Sequence, residues 1–286
     1  MVMSALRRLF AAGLMLAFYA YAIEPWWLRV RQRVLYLDGW APALDGVRVL
    51  HISDLHIGHS TSRAVNFLER AAREDVDLVV ITGDFIAGPS GIAEIKPALK
   101  KLTERHRVIG IPGNHEHRYH EYHLPRDGEW RNRIHIDFPA VVRELTEAGM
   151  TMLVNARQEI EVRGATLTLV GVDDPFSDTD DLHKTLGGLD DMSTVVMLSH
   201  SPDSHAEAAA SGIPLLLAGH THGGQVRLDP LFRPITGTRT PLERPSGIIK
   251  RGATTMHISP GLACTVVPFR FRVRPEATVL ELRARS

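Results

Sequence analysis

The sequence has almost no cysteine. Cys264 is the one thiol in the chain, so no intrachain disulfide holds the fold. It has no charge excess either: 33 Lys and Arg stand against 33 Asp and Glu, a formal net charge of zero. That balance excludes a global basic field of the kind that gathers nucleic acid. There is no internal repeat and no low-complexity linker, so the chain beyond its N-terminus reads as one domain. The rest of the composition is ordinary for a protein with a full core, 44% hydrophobic and 23% charged. Histidine is the exception, with 15 in the chain, most of them near glycine, asparagine or aspartate.

One long uncharged run is present, LFAAGLMLAFYAYAI at positions 9–23. Arg7 and Arg8 precede it; Glu24, Pro25, Trp26 and Trp27 follow, then Arg29, Arg31 and Arg33. A bilayer span wants about 20 residues. The run reaches that length with its tryptophan pair, a natural interfacial anchor. The favoured division is a membrane anchor over residues 1–33 and a catalytic-sized domain over 34–286. A cleaved signal peptide and a buried core helix are the alternatives, and no clear A-x-A cleavage site precedes Glu24. Arginines flank both ends, so the positive-inside rule is nearly balanced.

From residue 47 onward, short apolar runs alternate with helical stretches, which implies an α/β layered domain. VRVLHIS, DLVVITG, HRVIGIPG, MTMLVN, TVVMLSH and IPLLLAGH read as strands. Helices are expected near 62–73, 91–104, 138–148 and 203–210. EIEVRGATLTLVGVDD reads as a hairpin turned at Arg163-Gly164. Further short strands are expected around 225–228, 254–259 and 277–283.

The polar residues fall where those strands end. Asp54 and His56 follow VLHIS, and Asp84 follows LVVITG. Asn114, His115 and Glu116 follow RVIGIPG; His200 follows VVMLS; His220 and His222 follow LLLAG. In open α/β sheets, sites form beyond the carboxyl ends of strands. One aspartate after a strand is usually a turn or cap residue. Metal-capable groups after so many strands are better explained by a shared centre.

SDLHIG, GD, GNHE, a lone histidine after a strand and GHTHGG occur in the order of the calcineurin-like metallophosphoesterases, which residues 47–283 resemble. The resemblance implies a four-layer αββα sandwich of two mixed sheets with two metal ions at the strand ends. It implies hydrolysis of phosphomonoesters, phosphodiesters or diphosphates. It assigns Asp54, His56 and His222 to one ion and Asn114, His200 and His220 to the other, with Asp84 bridging. Such mixed imidazole, amide and carboxylate donors suit Mn, with Fe, Zn or Co as alternatives, better than Mg alone. Two ions would supply an activated water and clamp both oxygens of an in-line displacement. His115, next to Asn114, is the expected proton donor or phosphate holder, against the plain alternative of a surface histidine.

The second motif here is GDFIAGP, with Ala87 and Gly88 where protein phosphatases of this superfamily carry Asp and Arg. A protein serine/threonine phosphatase is therefore disfavoured. The insertion at 115–138 is rich in His and Arg, including Arg118. It reads as a lid or as a solvated loop. In the tail, VVPFRFRVRP alternates Phe269, Phe271 and Val273 with Arg270, Arg272 and Arg274. A strand there would turn one basic face outward, either as an ordinary half-buried edge or as a surface for anionic headgroups. Anchor and basic tail together resemble the membrane-associated branch similar to UDP-2,3-diacylglucosamine diphosphatases. The expected partners are therefore a bilayer and a phosphate-containing, lipid-linked substrate, at the cytoplasmic face of a bacterial inner membrane. No nucleic acid or protein partner is expected. A tethered phosphodiesterase of soluble nucleotides is the second reading, and a non-catalytic scaffold the third.

Overall fold

The computed structural model describes residues 2–58, 61–126, 129–230 and 234–285, with side chains apart from residues 2, 61–62, 119–126 and 129–135. Two six-stranded sheets carry the fold. The first runs β1 (Arg29–Leu37), β14 (Glu276–Ala284), β2 (Val47–Ile52), β3 (Leu78–Thr82), β4 (Val108–Ile111), β7 (Thr151–Met152). The second runs β12 (Gly247–Arg251), β13 (Thr254–Ile258), β11 (Leu215–Ala218), β10 (Val195–Leu198), β9 (Ala165–Gly171), β8 (Ala156–Val162). Strands β2, β3, β4 and β7 are parallel, as are β9, β10, β11 and β13. Antiparallel pairing comes at β14, β12 and β8, so both sheets are mixed.

Strand alternation builds three apolar layers. In β2, Val47 and Val49 point between the sheets, while Leu50 and Ile52 point to the outer helices. In β9, Leu167 and Leu169 meet the first sheet's inner face, while Val170 packs outward. Strands buried on both faces must be nearly continuous in apolar residues, as these are. Helices α2 (Thr61–Ala71), α3 (Gly91–Thr103) and α5 (Phe138–Glu147) cover the first sheet. The short helices α6 (Leu182–Leu186) and α7 (His205–Ala210) cover the second. This is the expected αββα sandwich.

Helix α1 (Val2–Phe18) continues through a π turn (Tyr19–Ile23) and a 3-10 turn (Glu24–Trp26). Its large apolar side chains, such as Leu9, Phe10 and Met15, are exposed. Met3–Trp26 is long and apolar enough to cross a membrane, with mean hydropathy 1.3 over its most apolar stretch, none of which is buried, while Glu24 and Pro25 at its end are buried. The boundary expected at residue 33 falls inside β1, whose Arg29–Arg33 pair in register with Glu276–Leu280.

Two further expectations change. The insertion after Asn114 is a short helix α4 (Asn114–His117) followed by a hairpin, β5 (Arg118–Arg126) and β6 (Glu129–His135). The side chains of His120, His123, His135, Arg126, Arg131 and Arg133 lie outside the described residues. In the tail, 225–228 makes only the isolated bridge Val226 to Phe271, and 268–274 is not a strand. Arg270 is fully buried, so it cannot meet headgroups. Its guanidinium donates instead to the carbonyls of Pro260, Gly261, Ala263 and Val273.

Candidate metal centre

The parallel strands β2, β3, β4, β10 and β11 end on one side, and their loops converge there. Asp54, His56, Asp84, His220 and His222 all sit at positive φ, 54°, 40°, 55°, 68° and 49°. Such conformations are costly for residues with a Cβ and persist where surrounding contacts impose them. Backbone pairing imposes them here. The loop after β2 lies along the loop after β3, with His56 N–H to Asp84 O at 2.9 Å and Ile57 N–H to Phe85 O at 3.0 Å. The glycines before the ligands let the loops close up. Gly83 has φ 83°, and a Cβ there would come 2.7 Å from the Gly113 nitrogen and His200 Nδ1.

All seven expected ligands except His220 are buried. Asp54, His56 and His222 offer ligand atoms within 4.8 Å of one another, and so do Asp54, Asp84 and His200. Asp84 Oδ2 lies 3.4 Å from His56 Nε2 and 3.3 Å from His200 Nε2, midway between the two imidazoles. His222 Nε2 is 3.0 Å from His56 Nε2, and His220 Nδ1 is 3.2 Å from His200 Nε2.

The outer nitrogens are already engaged. His222 Nδ1 donates to Ala263 O at 3.1 Å, His200 Nδ1 to Thr82 O at 2.7 Å, and His220 Nε2 to Gly237 O at 3.4 Å. That choice of tautomer turns each remaining lone pair inward, the usual arrangement of imidazoles that ligate metal. Asn114 Oδ1 is buried and has no hydrogen-bond partner among the described residues. An orphaned amide oxygen and imidazole nitrogens facing each other at 3.0–3.2 Å fit a pair of divalent cations.

The electrostatics agree. Burial pushes the Asp54 carboxyl up to about 6, opposed by His200 and helped by the charge of Asp84. Burial also works against the Asp84 carboxylate, yet His200, His115 and His56 hold it well below the usual range. Burial works against a proton on His200, yet Asp84 and Asp54 hold its pKa well above that of an ordinary imidazole. Burial and the neighbouring His200 bring His220 down to about 4. Burial and His56 keep His222 well below the imidazole value. A cation entering the cradle would displace the protons held by His200 and Asp54.

His115 stands at the rim, half-buried, its ring edge-on to His56 at 4.5 Å. Its backbone N–H donates to Asp84 Oδ1 at 2.9 Å. Arg118 lies over the Phe176 ring at 5.1 Å, and that ring is 5.3 Å from His220. Arg118 therefore flanks the centre, while Arg272 is exposed and donates to the Asp229 carbonyl.

Sequence reasoning passed over three groups. Glu116 is fully buried and accepts the N–H groups of Gly113 at 2.8 Å, Asp84 at 2.9 Å, Phe85 at 2.8 Å and Ile86 at 3.3 Å. It clamps the loop that carries Asp84. Burial and the Asp84 charge raise its carboxyl to about 8, with those N–H donors opposing. Asp173, after β9, accepts His117 Nε2 at 2.7 Å. Buried Asp174 beside it contributes to the potential at His200 and His220. GVDD ends an apolar strand just as the ligand motifs do, which was the available signal.

Residues 47–224 match the family described as calcineurin-like phosphoesterase. The chain is 28% identical to the uncharacterized metallophosphoesterase YkuE of Bacillus subtilis, over 93% of this chain and 89% of that one. It is 25% identical to phosphodiesterase YaeI of Escherichia coli, over 92% of each. It is 27% identical to the UDP-2,3-diacylglucosamine pyrophosphatase LpxG of Chlamydia trachomatis, over 85% of this chain and 84% of that one. With the fold and the strand-end cradle in agreement, the chain belongs to the calcineurin-like phosphoesterase family, as a metal-dependent hydrolase.

Proposed function

We propose that this protein hydrolyses a phosphodiester or diphosphate bond in a lipid-linked substrate at a membrane surface. The observation that carries the chemistry is the single oxygen Asp84 Oδ2, 3.4 Å from His56 and 3.3 Å from His200. It supports a bridging role for Asp84 between one ion held by Asp54, His56 and His222 and a second held by Asn114, His200 and His220. Two bound divalent ions, Mn for preference, supply Lewis-acid charge and an activated water for in-line displacement. The chain's own residues do the rest. Ala263, Thr82 and Gly237 carbonyls orient the imidazoles. Glu116 fixes the Asp84 loop. His115 delivers a proton to the leaving oxygen from Nδ1 or Nε2.

The lipid-linked part rests on separate support. Met3–Trp26 passes for a membrane span, and a relative matched over 84% of its length is named a UDP-2,3-diacylglucosamine pyrophosphatase. The helix is bonded to the domain through Arg270 N–H to Ala20 O at 3.0 Å and Arg272 N–H to Glu24 Oε2 at 2.9 Å. Tethering of this kind favours substrate from the same bilayer.

The test is hydrolysis by Mn-reconstituted full-length protein of bis(p-nitrophenyl) phosphate, cyclic nucleotides, a nucleotide-sugar lipid and phospholipid vesicles. The expected outcome is highest kcat/KM on the nucleotide-sugar lipid or the phospholipid. Turnover confined to soluble nucleotides would replace the lipid reading with a tethered nucleotide phosphodiesterase.

A further inference from the structure

A cavity of about 220 Å³ adjoins the metal centre, beginning at His56. Arg63 and Ala64 on α2 line one side of it, and the loop from Ala263 to Pro268 lines the other. Part of the loop's polar backbone is engaged elsewhere. Gln225 accepts the Thr265 N–H at 2.8 Å and donates to the Thr265 and Val267 carbonyls at 2.9 Å. The Ala263 carbonyl is taken by His222 and Arg270. The loop therefore lines the cavity mainly with the apolar residues Ala263, Val266, Val267 and Pro268, beside Cys264 and Thr265.

The same wall is laced to the end of the apolar helix. Arg63 donates to Pro25 O at 3.5 Å and stands over the Trp26 ring at 4.3 Å. Arg274 Nε donates to Trp27 O at 2.9 Å, with its guanidinium over the Trp27 ring at 4.0 Å. Val266 at 61%, Phe269 at 38%, Trp26 at 49% and Trp27 at 52% leave apolar surface exposed around this junction. Exposed tryptophans at the end of a span mark the level of the headgroups. One end of the cavity is thus a metal ligand and the other belongs to the part of the domain nearest the bilayer.

We infer that this cavity receives a hydrocarbon chain of the lipid whose phosphate lies at the metal centre. The inference rests on the lipid-linked reading above. The cavity is smaller than the roughly 300–1,000 Å³ of sites that enclose a whole drug-sized molecule. It suits part of one chain better than a polar head group. Arg63, a cation lining the same space, complements the phosphate that the chain would trail behind it.

Cys264 lines the cavity and is the chain's one cysteine, so the unaltered protein reports its own occupancy. The experiment measures alkylation of Cys264 by N-ethylmaleimide in Mn-loaded, full-length protein, read by intact mass. Decyl phosphate at about ten times its dissociation constant should slow labelling about tenfold. Inorganic phosphate and uridine monophosphate at matched occupancy should leave it nearly unchanged. A second measurement uses Val267→Trp, which should lower kcat/KM on a long-chain phosphodiester relative to bis(p-nitrophenyl) phosphate by about tenfold or more. Equal labelling with and without decyl phosphate overturns the inference, as does protection by uridine monophosphate or an unchanged substrate ratio. If lipid diesters are cleaved while Cys264 stays unprotected, the cavity assignment fails and the lipid reading stands. If decyl phosphate protects Cys264 but no lipid is cleaved, the cavity assignment holds and the substrate reading fails.

Discussion

Two buried charged cradles touch each other and treat charge in opposite ways. In one, Asp54 and Asp84 are 0% and 2% exposed, and their oxygens face imidazole nitrogens at 3.3 to 3.4 Å. In the other, Arg270 is 0% exposed, and its guanidinium donates to Pro260 O at 2.8 Å, Gly261 O at 3.2 Å, Val273 O at 3.4 Å and the Ala263 carbonyl. They meet at Ala263, whose carbonyl also accepts His222 Nδ1 at 3.1 Å. Burial of charge is common to both and so does not mark the reacting site. What differs is the kind of atom left over. Arg270 spends its terminal nitrogens on four backbone carbonyls and leaves only a donor, its Nε, without a bond, while the carboxylate cradle turns acceptors, imidazole nitrogens and the orphan oxygen of Asn114, toward one space. The first is a bracket and the second is a receptacle.

Removing Asp84 gives the largest effect and tests the receptacle. Asp84→Ala takes away the proposed bridge and the acceptor of the His115 N–H. Outer partners of ligands cost about 10–100-fold in metal affinity or activity, and a bridging ligand should cost more. Metal content should fall below one ion per chain and hydrolysis should vanish. The urea midpoint of the metal-free protein should fall, because the carboxylate that pairs with buried His200 and accepts the His115 backbone N–H is gone. Full metal content in this variant would end the binuclear reading.

Arg270→Met is the counterpart in the bracket. It strands the carbonyls that the guanidinium now satisfies, so it should destabilise the fold by about 3–5 kcal/mol. Urea denaturation of metal-free protein reads it directly. A wild-type midpoint would erase the distinction between the two cradles.

His115→Ala comes next. It should leave metal content intact and lower kcat about 100-fold on diesters with alkoxide leaving groups. With p-nitrophenolate, which departs without a proton, the loss should be small. Equal losses on both would leave phosphate binding, rather than proton delivery, as the role of His115.

The same comparison explains what the sequence disclosed. The strand-end positions of Asp54, Asp84, Asn114, His200, His220 and His222 were legible because short apolar runs mark strands and polar punctuation marks their ends. The layered sandwich was legible for the same reason. Arg270 was not. Alternation of Phe and Arg has the period of a strand, but Gln225 and Glu24 tie 265–272 into a loop from positions some forty and 248 residues away. Glu116 stands within GNHE but its task is not visible in the sequence, since most of its partners are backbone N–H groups of another loop. The pairing of Arg29–Leu37 with β14 was not legible, because an arginine-rich flank looks like a membrane border.

Acid should empty the receptacle. In the metal-free cradle, Asp54 takes up a proton near 6 and His200 holds one to well above 6.5. Both must leave before a cation binds. Falling pH therefore weakens binding, and each proton displaced costs about tenfold in apparent affinity per pH unit. Below pH 6 the loss should steepen as Asp54 joins His200. Calorimetric titration of Mn in buffers of different ionisation enthalpy counts the protons released. Affinity that stays flat from pH 7.5 to 5 would contradict this account of the charges.

The smallest effect belongs to Arg272, on the exposed side of the bracket. Its backbone N–H is fixed by Glu24 at 2.9 Å and one guanidinium nitrogen donates to Asp229 O at 3.0 Å, so the charge is held near the end of the apolar helix. A basic residue close to an anionic bilayer adds about 1 kcal/mol of attraction, or about fivefold in partitioning. Arg272→Gln keeps the length and the backbone bond and removes only that charge. Sedimentation with vesicles containing anionic lipid should show the fivefold weakening at low salt. With neutral vesicles the two proteins should bind alike, because the helix alone then holds them. Raising the salt should close the gap, since exposed charges are screened over about 10 Å at 0.1 M. A gap that persists on neutral lipid or at high salt would mean that the substitution disturbs the loop rather than an electrostatic contact with the membrane.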